Sequence, residues 1–325
     1  MSVVVTGASG HLGANLVRAL LARGQSVRAL VHRRAEALEG LGAELEQHRG
    51  SVCELDSLRG AFEGAELVYH LAGIVSIDGD PSGRVHEVNV GGTAKVAQAC
   101  REQGARLVHV SSVHAYAMDP LDAILDESRP QVADSPEHSA YDRSKARGEL
   151  AVHEQIEAGL DACIVNPTGI LGPHDHGPSR LGQLVRDLDR GRMPALLEGG
   201  FDFVDARDVV AGMIAAAEQG RRGHNYVLGN RWYSIRELAE AVHAAGGARP
   251  PRLVTPAWVA RLGLPFARGW SKLRSSEPLF TAESLAILAS NRSISSAKAR
   301  AELGYAPRPL AESIADTLAW WRSRA

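Results

Sequence analysis

Tyr141 and Lys145, in "YDRSK", stand four residues apart within a helical pattern. That spacing puts a phenol and an ammonium group on one helix face. A tyrosine with an ordinary pKa of ~10 is a reluctant proton carrier at neutral pH, and a neighbouring cation favours its phenolate. Such a pair suits proton transfer to or from the oxygen of a carbonyl or alcohol. Helices meet this spacing often by chance, so the pair gains meaning only from the rest of the chain.

"TGASGHLG" supplies that context. It places Gly7, Gly10 and Gly13 between an apolar strand, "SVVVTG", and an amphipathic helix, "HLGANLVRALLARG". A turn opening a helix in this way aims backbone N–H groups and the helix dipole at a ligand, as a pyrophosphate requires. Gly7 serves the tight turn, Gly10 the approach of the ligand and Gly13 the packing of helix on sheet. Ser9, His11 and Leu12 complete the loop. The second strand ends in "VHRRAE", with His32, Arg33 and Arg34 where an acid would select NAD. Guanidinium groups suit a 2′-phosphate instead. NADP(H) is therefore the expected cofactor, with NAD(H) the alternative.

Positioning these groups requires a particular set of elements. The first half alternates short apolar runs with helical patterns: "SVRALVHR", helical "RAEALEGL", a strand near "AELEQHRG", then "LDSLRGAFEG", "ELVYHLAG", "RLVHVSS" and "DACIVNP". This alternation predicts an α/β fold, a doubly wound parallel sheet with helices on both faces. Beyond Pro173 it breaks down, and a smaller, mostly helical substrate-binding region is expected. The expected division is residues 1–172 for the dinucleotide domain, with segments returning over about 201–229, and residues 173–200 and 230–325 for the second region.

The 325 residues are 45% hydrophobic and 23% charged, as in ordinary globular proteins. A formal charge of −2 argues against a nucleic-acid partner. Three scattered cysteines fit reduced thiols. No leader-peptide pattern precedes the first strand and no apolar run is long enough to span a bilayer, so a cytoplasmic protein without stable membrane insertion is expected. The segment 256–273 mixes aromatics with Arg and Lys and reads as a helix closing a pocket. His174 and His176 flank Asp175 without a third ligand at a recognisable spacing, so no metal is expected.

With "HLAG" (His70 to Gly73), "VNVGGT" (Val88 to Thr93) and "SSVHAY" also in order, the chain resembles the extended short-chain dehydrogenases/reductases over essentially its whole length. The resemblance implies a catalytic set of Ser112, Tyr141 and Lys145, with Asn89 in support. It implies cofactor contacts from Leu71, Ala72 and Gly73, and from Pro167 and Ile170 in "NPTGIL". In "RGSV", Ser51 stands where the family often has Asp, leaving the backbone of Val52 for the adenine. Dehydratases of the family carry Asp-Glu where this chain has Val113 and His114. Nucleotide-sugar epimerases usually carry Arg where it has Phe201. The closest likeness is to the dihydroflavonol-reductase-like and 3β-hydroxysteroid-dehydrogenase-like branch. The implied activity is reduction of a ketone or aldehyde to an alcohol, with a sugar epimerase as the alternative. Val113, His114, His174 and Phe201 are the expected substrate-pocket residues. Trp232, Tyr233 and Trp258 could line that pocket or serve the core. A homodimer is a further family expectation.

Overall fold

The computed structural model describes residues 2–33, 35–76, 79–256, 258–259 and 291–324. Arg34 and most of segment 256–273 lie outside the described residues. Six strands open the chain: β1 (Val3–Thr6), β2 (Val27–Val31), β3 (Leu45–Arg49), β4 (Leu67–His70), β5 (Arg106–Val110) and β6 (Ala162–Pro167). Most are continuous apolar runs because both sheet faces are covered. β3, "LEQHR", is the charged and largely exposed exception, and it forms one edge. At the other edge β10 (Asn225–Leu228) pairs in parallel with β6. The seven strands run β3-β2-β1-β4-β5-β6-β10, all parallel.

Successive side chains of a strand face opposite sides, and β1 divides accordingly. Val3 and Val5 pack with Leu16, Val17 and Leu20 of α1 (His11–Ala22) and with Val209 and Met213 of α7 (Ala206–Gln219). Val4 packs on the other side with Leu58 of α2 (Leu55–Ala61), Val96 and Cys100 of α4 (Thr93–Gln103) and Val152 of α5 (Ala140–Glu157). A short helix, α3 (Arg84–His86), runs through a π-helical turn (Glu87–Gly92) into α4.

After β6 the chain leaves the large sheet. β7 (Gly169–Leu171) and β9 (Gly200–Asp205) pair in parallel, and β11 (Arg231–Ser234) runs antiparallel to β9. β8 (Leu196–Leu197) pairs with β12 (Val254–Thr255). A separate core joins these strands to α6 (Arg180–Asp189), α8 (Ile235–Ala244) and α10 (Leu310–Arg322). α9 (Ala297–Leu303) sends Ala299 and Leu303 into the core beside α1 and α7.

Two expectations change. "RAEALEGL" forms only a 3₁₀ turn over Glu36–Leu38, because Gly40 and Gly42 follow with φ of 72° and 95° and end it. Of the stretch 201–229 expected to return to the first domain, α7 and β10 lie with the large sheet, whereas β9 pairs with β7 and β11. The region past Pro173 is thus less purely helical than its pattern suggested.

Candidate active site

The C-terminal ends of the parallel strands gather the residues singled out above. The strand order reverses between β1 and β4, the place where open α/β sheets bind ligands. There Gly7, at φ 68°, leaves β1 directly against the loop after β4. A Cβ on it would come within 2.6 Å of Ala72 N and 2.7 Å of the Leu71 carbonyl carbon. A Cβ on Gly13 would lie 2.2 Å from the Gly7 carbonyl oxygen, so only glycine lets α1 start this close to the turn. Gly10 caps α1 with no side-chain hydrogen bond, and no acidic residue occupies its first turn. The N–H groups and positive end of α1 are therefore left for an anion, with no side chain of the cap or first turn competing for them. Ser9 is partly exposed beside Gly10, Leu12 packs on the core, and His11 Nε2 meets the Pro173 carbonyl at 3.0 Å. This cradle fits a dinucleotide pyrophosphate. Below it, Thr6 Oγ1 lies 2.7 Å from His70 Nδ1 and accepts from Ala72 N at 3.3 Å.

α5 brings the tyrosine and lysine to this cleft. Ser139 and Asp142 form a capping box that starts the helix, and Gly148 decides how close it comes. A Cβ on Gly148 would stand 2.7 Å from the Asn89 carbonyl oxygen. Asn89 sits in the π-helical turn, a distortion frequent at functional sites. Its Oδ1 accepts from Ile74 N at 2.8 Å, while its Nδ2 donates to Ile74 O and to Ser144 Oγ, both at 2.9 Å. The loop after β4 and the start of α5 are thus pinned by one side chain.

Ser112, Tyr141, Lys145 and Asn89 come together. The Ser112 hydroxyl lies close enough to the Tyr141 phenol to favour its ionised form, while its Oγ accepts from His114 N at 3.2 Å. Lys145 Nζ, buried, donates to the Val110 carbonyl at 2.9 Å. A Cβ built on Gly73 would lie 3.3 Å from Asn89 Oδ1 and 3.7 Å from Lys145 Nζ. Burial pushes the Tyr141 phenol up to about 12, the Ser112 hydrogen bond opposing and the Asp142 carboxylate adding to the rise. The sequence suggested the reverse, a phenol pulled down by Lys145; here the ammonium is occupied by Val110 and desolvation dominates. Burial also lowers Lys145 to about 8, against the attraction of Glu149.

The remaining expected residues divide. His32 and Arg33 are exposed just past the end of β2, and Arg33 forms no ion pair among the described residues. Ser51 Oγ accepts from Cys53 N, and Val52 lies against Gly92. Pro167 closes β6 and Ile170 borders the first core. His114 lies beside the site, its ring centroid 6.5 Å from that of Tyr141 and its Nδ1 3.6 Å from Asp142 Oδ1. Val113 is instead a core residue, packed with Tyr116, Leu125 and Val227 because it opens a turn folded onto the sheet. Phe201 packs with Phe203 in the core of the smaller sheet, where Tyr233 is buried too. Trp232 lies under Arg292, and Trp258 is exposed. His174, with φ of 63°, stands over Trp320 and His176, just past β7. Asp175, between the two histidines, accepts from the Ser179 N–H and hydroxyl at the start of α6.

Sequence reasoning passed over Glu149 and Ser144. Both lie on the buried face of α5, and Glu149 repeats the four-residue step from Tyr141 to Lys145 once more.

The model of the NAD dependent epimerase/dehydratase family matches residues 3–229. Over 332 residues the chain is 39% identical to "Sterol demethylase protein B" of Methylococcus capsulatus, covering 100% of this chain and 99% of that one. It is 30% identical to a 4-hydroxy-2-methyl-3-oxo-4-farnesyl-3,4-dihydroquinoline-1-oxide ketoreductase of Stigmatella aurantiaca, covering 98% of this chain and 96% of the relative. The crystal structure of gox2253 shares 31% identity and a TM-score of 0.86, covering 100% of this chain and 98% of that one.

Proposed function

The chain belongs to the NAD dependent epimerase/dehydratase family, and from that premise we propose an NADP(H)-dependent oxidoreductase reducing a ketone or aldehyde on an apolar substrate. The observation that carries this reading is the meeting of Tyr141, Ser112 and Lys145 beside the glycine cradle. Gly7, Gly10 and Gly13 would hold the pyrophosphate, Arg33 a 2′-phosphate and Lys145 the nicotinamide ribose. When bound, the cofactor supplies the hydride.

The chain's own residues handle the oxygen. Hydride arrival leaves negative charge there, and Ser112 orients and hydrogen-bonds it while Tyr141 gives up its proton. A phenol held near 12 is fully protonated at neutral pH, the state a proton donor needs. Its conjugate base is costly in this buried setting, and Lys145, one helical turn away, would have to turn from the Val110 carbonyl to offset that charge. In the oxidative direction the proton returns by the same route.

Names of relatives inform the substrate class: a sterol demethylase component and a ketoreductase of a farnesylated quinoline both act on apolar frameworks. A sterol- or isoprenoid-type ketone is accordingly the first substrate to try. The sugar-epimerase reading loses support from Phe201, which packs in an apolar core instead of offering a fork to a diphosphate.

The test is NADPH oxidation with a panel of steroid and isoprenoid ketones. Tyr141→Phe should lower turnover by about 100-fold or more, as loss of a general acid does, with NADPH affinity kept. A variant with full activity would refute the assignment.

A further inference from the structure

One turn beyond Lys145 on the buried face of α5, Glu149 has no exposed surface. Its carboxylate is met by amide donors: Asn166 Nδ2 at 2.6 Å on Oε1, Asn225 Nδ2 at 2.8 Å on Oε2, and Gln131 Nε2 also on Oε2. Burial raises the Glu149 pKa, and hydrogen bonds from Ser111, Asn225 and Asn166 oppose that rise. A carboxylic acid needs an acceptor for its proton, whereas a carboxylate needs only donors, so this shell favours the ionised form against the cost of burial. Asn166 Nδ2 also donates to the Ser112 carbonyl at 3.1 Å. Glu149 thus shares a helix face with Lys145 and a hydrogen-bond partner with the backbone of Ser112.

We propose that Glu149 is a positioning residue of the site, its negative charge holding Lys145 as the ammonium and its partner Asn166 fixing the segment that carries Ser112. The inference rests on the placing of Lys145 in the cofactor site. Burial draws Lys145 down to about 8 and Glu149 draws it back up. The other titratable groups around the pair are His70 on β4, His109 on β5, His153 and Tyr141 on α5, Tyr116 in the loop after β5, and Glu127 and Lys298 on the wall of the neighbouring cavity. Burial keeps the first two imidazoles neutral and both phenols protonated, Glu127 accepts from the Val227 N–H of β10, and Glu149 is the one carboxylate among the described residues that acts on Lys145. On the far side of Gln131 and Asn225 lies a cavity of about 340 Å³, lined also by Tyr116, His153 and Lys298. Only one layer of amides separates the carboxylate from that space.

Glu149→Gln keeps the side-chain volume and removes the charge, so Lys145 should lose its proton at lower pH. NADPH binding, followed by quenching of protein fluorescence, should be near normal at about pH 6. At about pH 8 it should be about fivefold weaker than in the wild type, the loss expected when the titration midpoint falls by about one unit. A purely structural role would lower the melting temperature and leave the pH profile in place. Should Glu149→Gln fail to fold, Gln131→Met weakens the same carboxylate through a side chain that reaches the cavity, and a smaller shift in the same direction is expected. An unshifted profile in a folded variant overturns the proposal. Lys145→Met tells the two possible failures apart. If it abolishes the wild-type pH dependence while Glu149→Gln leaves the midpoint unmoved, only the role of Glu149 falls. If it changes nothing, the placing of Lys145 in the cofactor site falls with it.

Discussion

Tyr141 and Arg33 are the residues on which the proposed chemistry and cofactor choice turn, and the structure treats them oppositely. Tyr141 is enclosed enough for burial to set its proton affinity, and the donor role proposed for it draws on that environment. Arg33 is exposed past β2, without an ion pair among the described residues. An unengaged guanidinium is free to take a phosphate as a bidentate partner. Arg33→Ala combined with Arg34→Ala should therefore weaken NADPH binding by about tenfold or more, roughly the 1.4 kcal/mol or more that a charge-assisted contact contributes. NADH binding should change little in the same titration; equal losses would remove the preference for the 2′-phosphate. Both positions were legible in the sequence because spacing on a helix and position after a strand are local properties. The direction of the Tyr141 shift was not, because it depends on how much protein closes over the ring.

Among the elements, α5 is held closely against the π-helical turn. Its register against the π-helical turn depends on Gly148, where a methyl group would press on the Asn89 carbonyl. Alanine ordinarily favours a helix over glycine by about 1 kcal/mol, yet here the backbone contact should outweigh that gain. Gly148→Ala should lower the melting temperature and the turnover number together, since it displaces both Asn89 and Lys145. Gly60→Ala in α2 is the opposite case: nothing lies within 4 Å of the added carbon, and a gain of about 0.5–1 kcal/mol is expected. Thermal denaturation of the two variants side by side checks the pair of signs. The elements of the large sheet could be read from alternating patterns. The pairing of β7, β9 and β11 could not, because strands of three to six residues in glycine-rich sequence carry little periodicity.

For the whole molecule, the buried histidines set how stability answers to acid. His70 joins β1 to α4 through Thr6 Oγ1 at 2.7 Å and Thr93 Oγ1 at 3.0 Å, and burial, helped by Lys145, lowers it to about 3. In the unfolded chain it takes a proton at its usual pKa of ~6.5, so its contribution is fully present above that pH and is lost as the pH falls toward 3. His109, stacked on it at 5.2 Å, is lowered in the same sense. Denaturation midpoints should therefore fall as the pH drops from about 7.5 to about 5, at up to about 1.4 kcal/mol per unit for each histidine. His70→Asn should flatten the slope, and an unchanged slope would contradict this account. The strand order has a consequence for biosynthesis. A chain emerging from the ribosome has presented Ser112, Tyr141 and Lys145 well before β10 arrives to pair with β6, and α9 follows later still. Until then the finished part of the sheet keeps an open, apolar border, the kind that invites pairing with another chain. The nascent protein is thus most in need of chaperone protection during the interval that separates α5 from the last strand of its sheet.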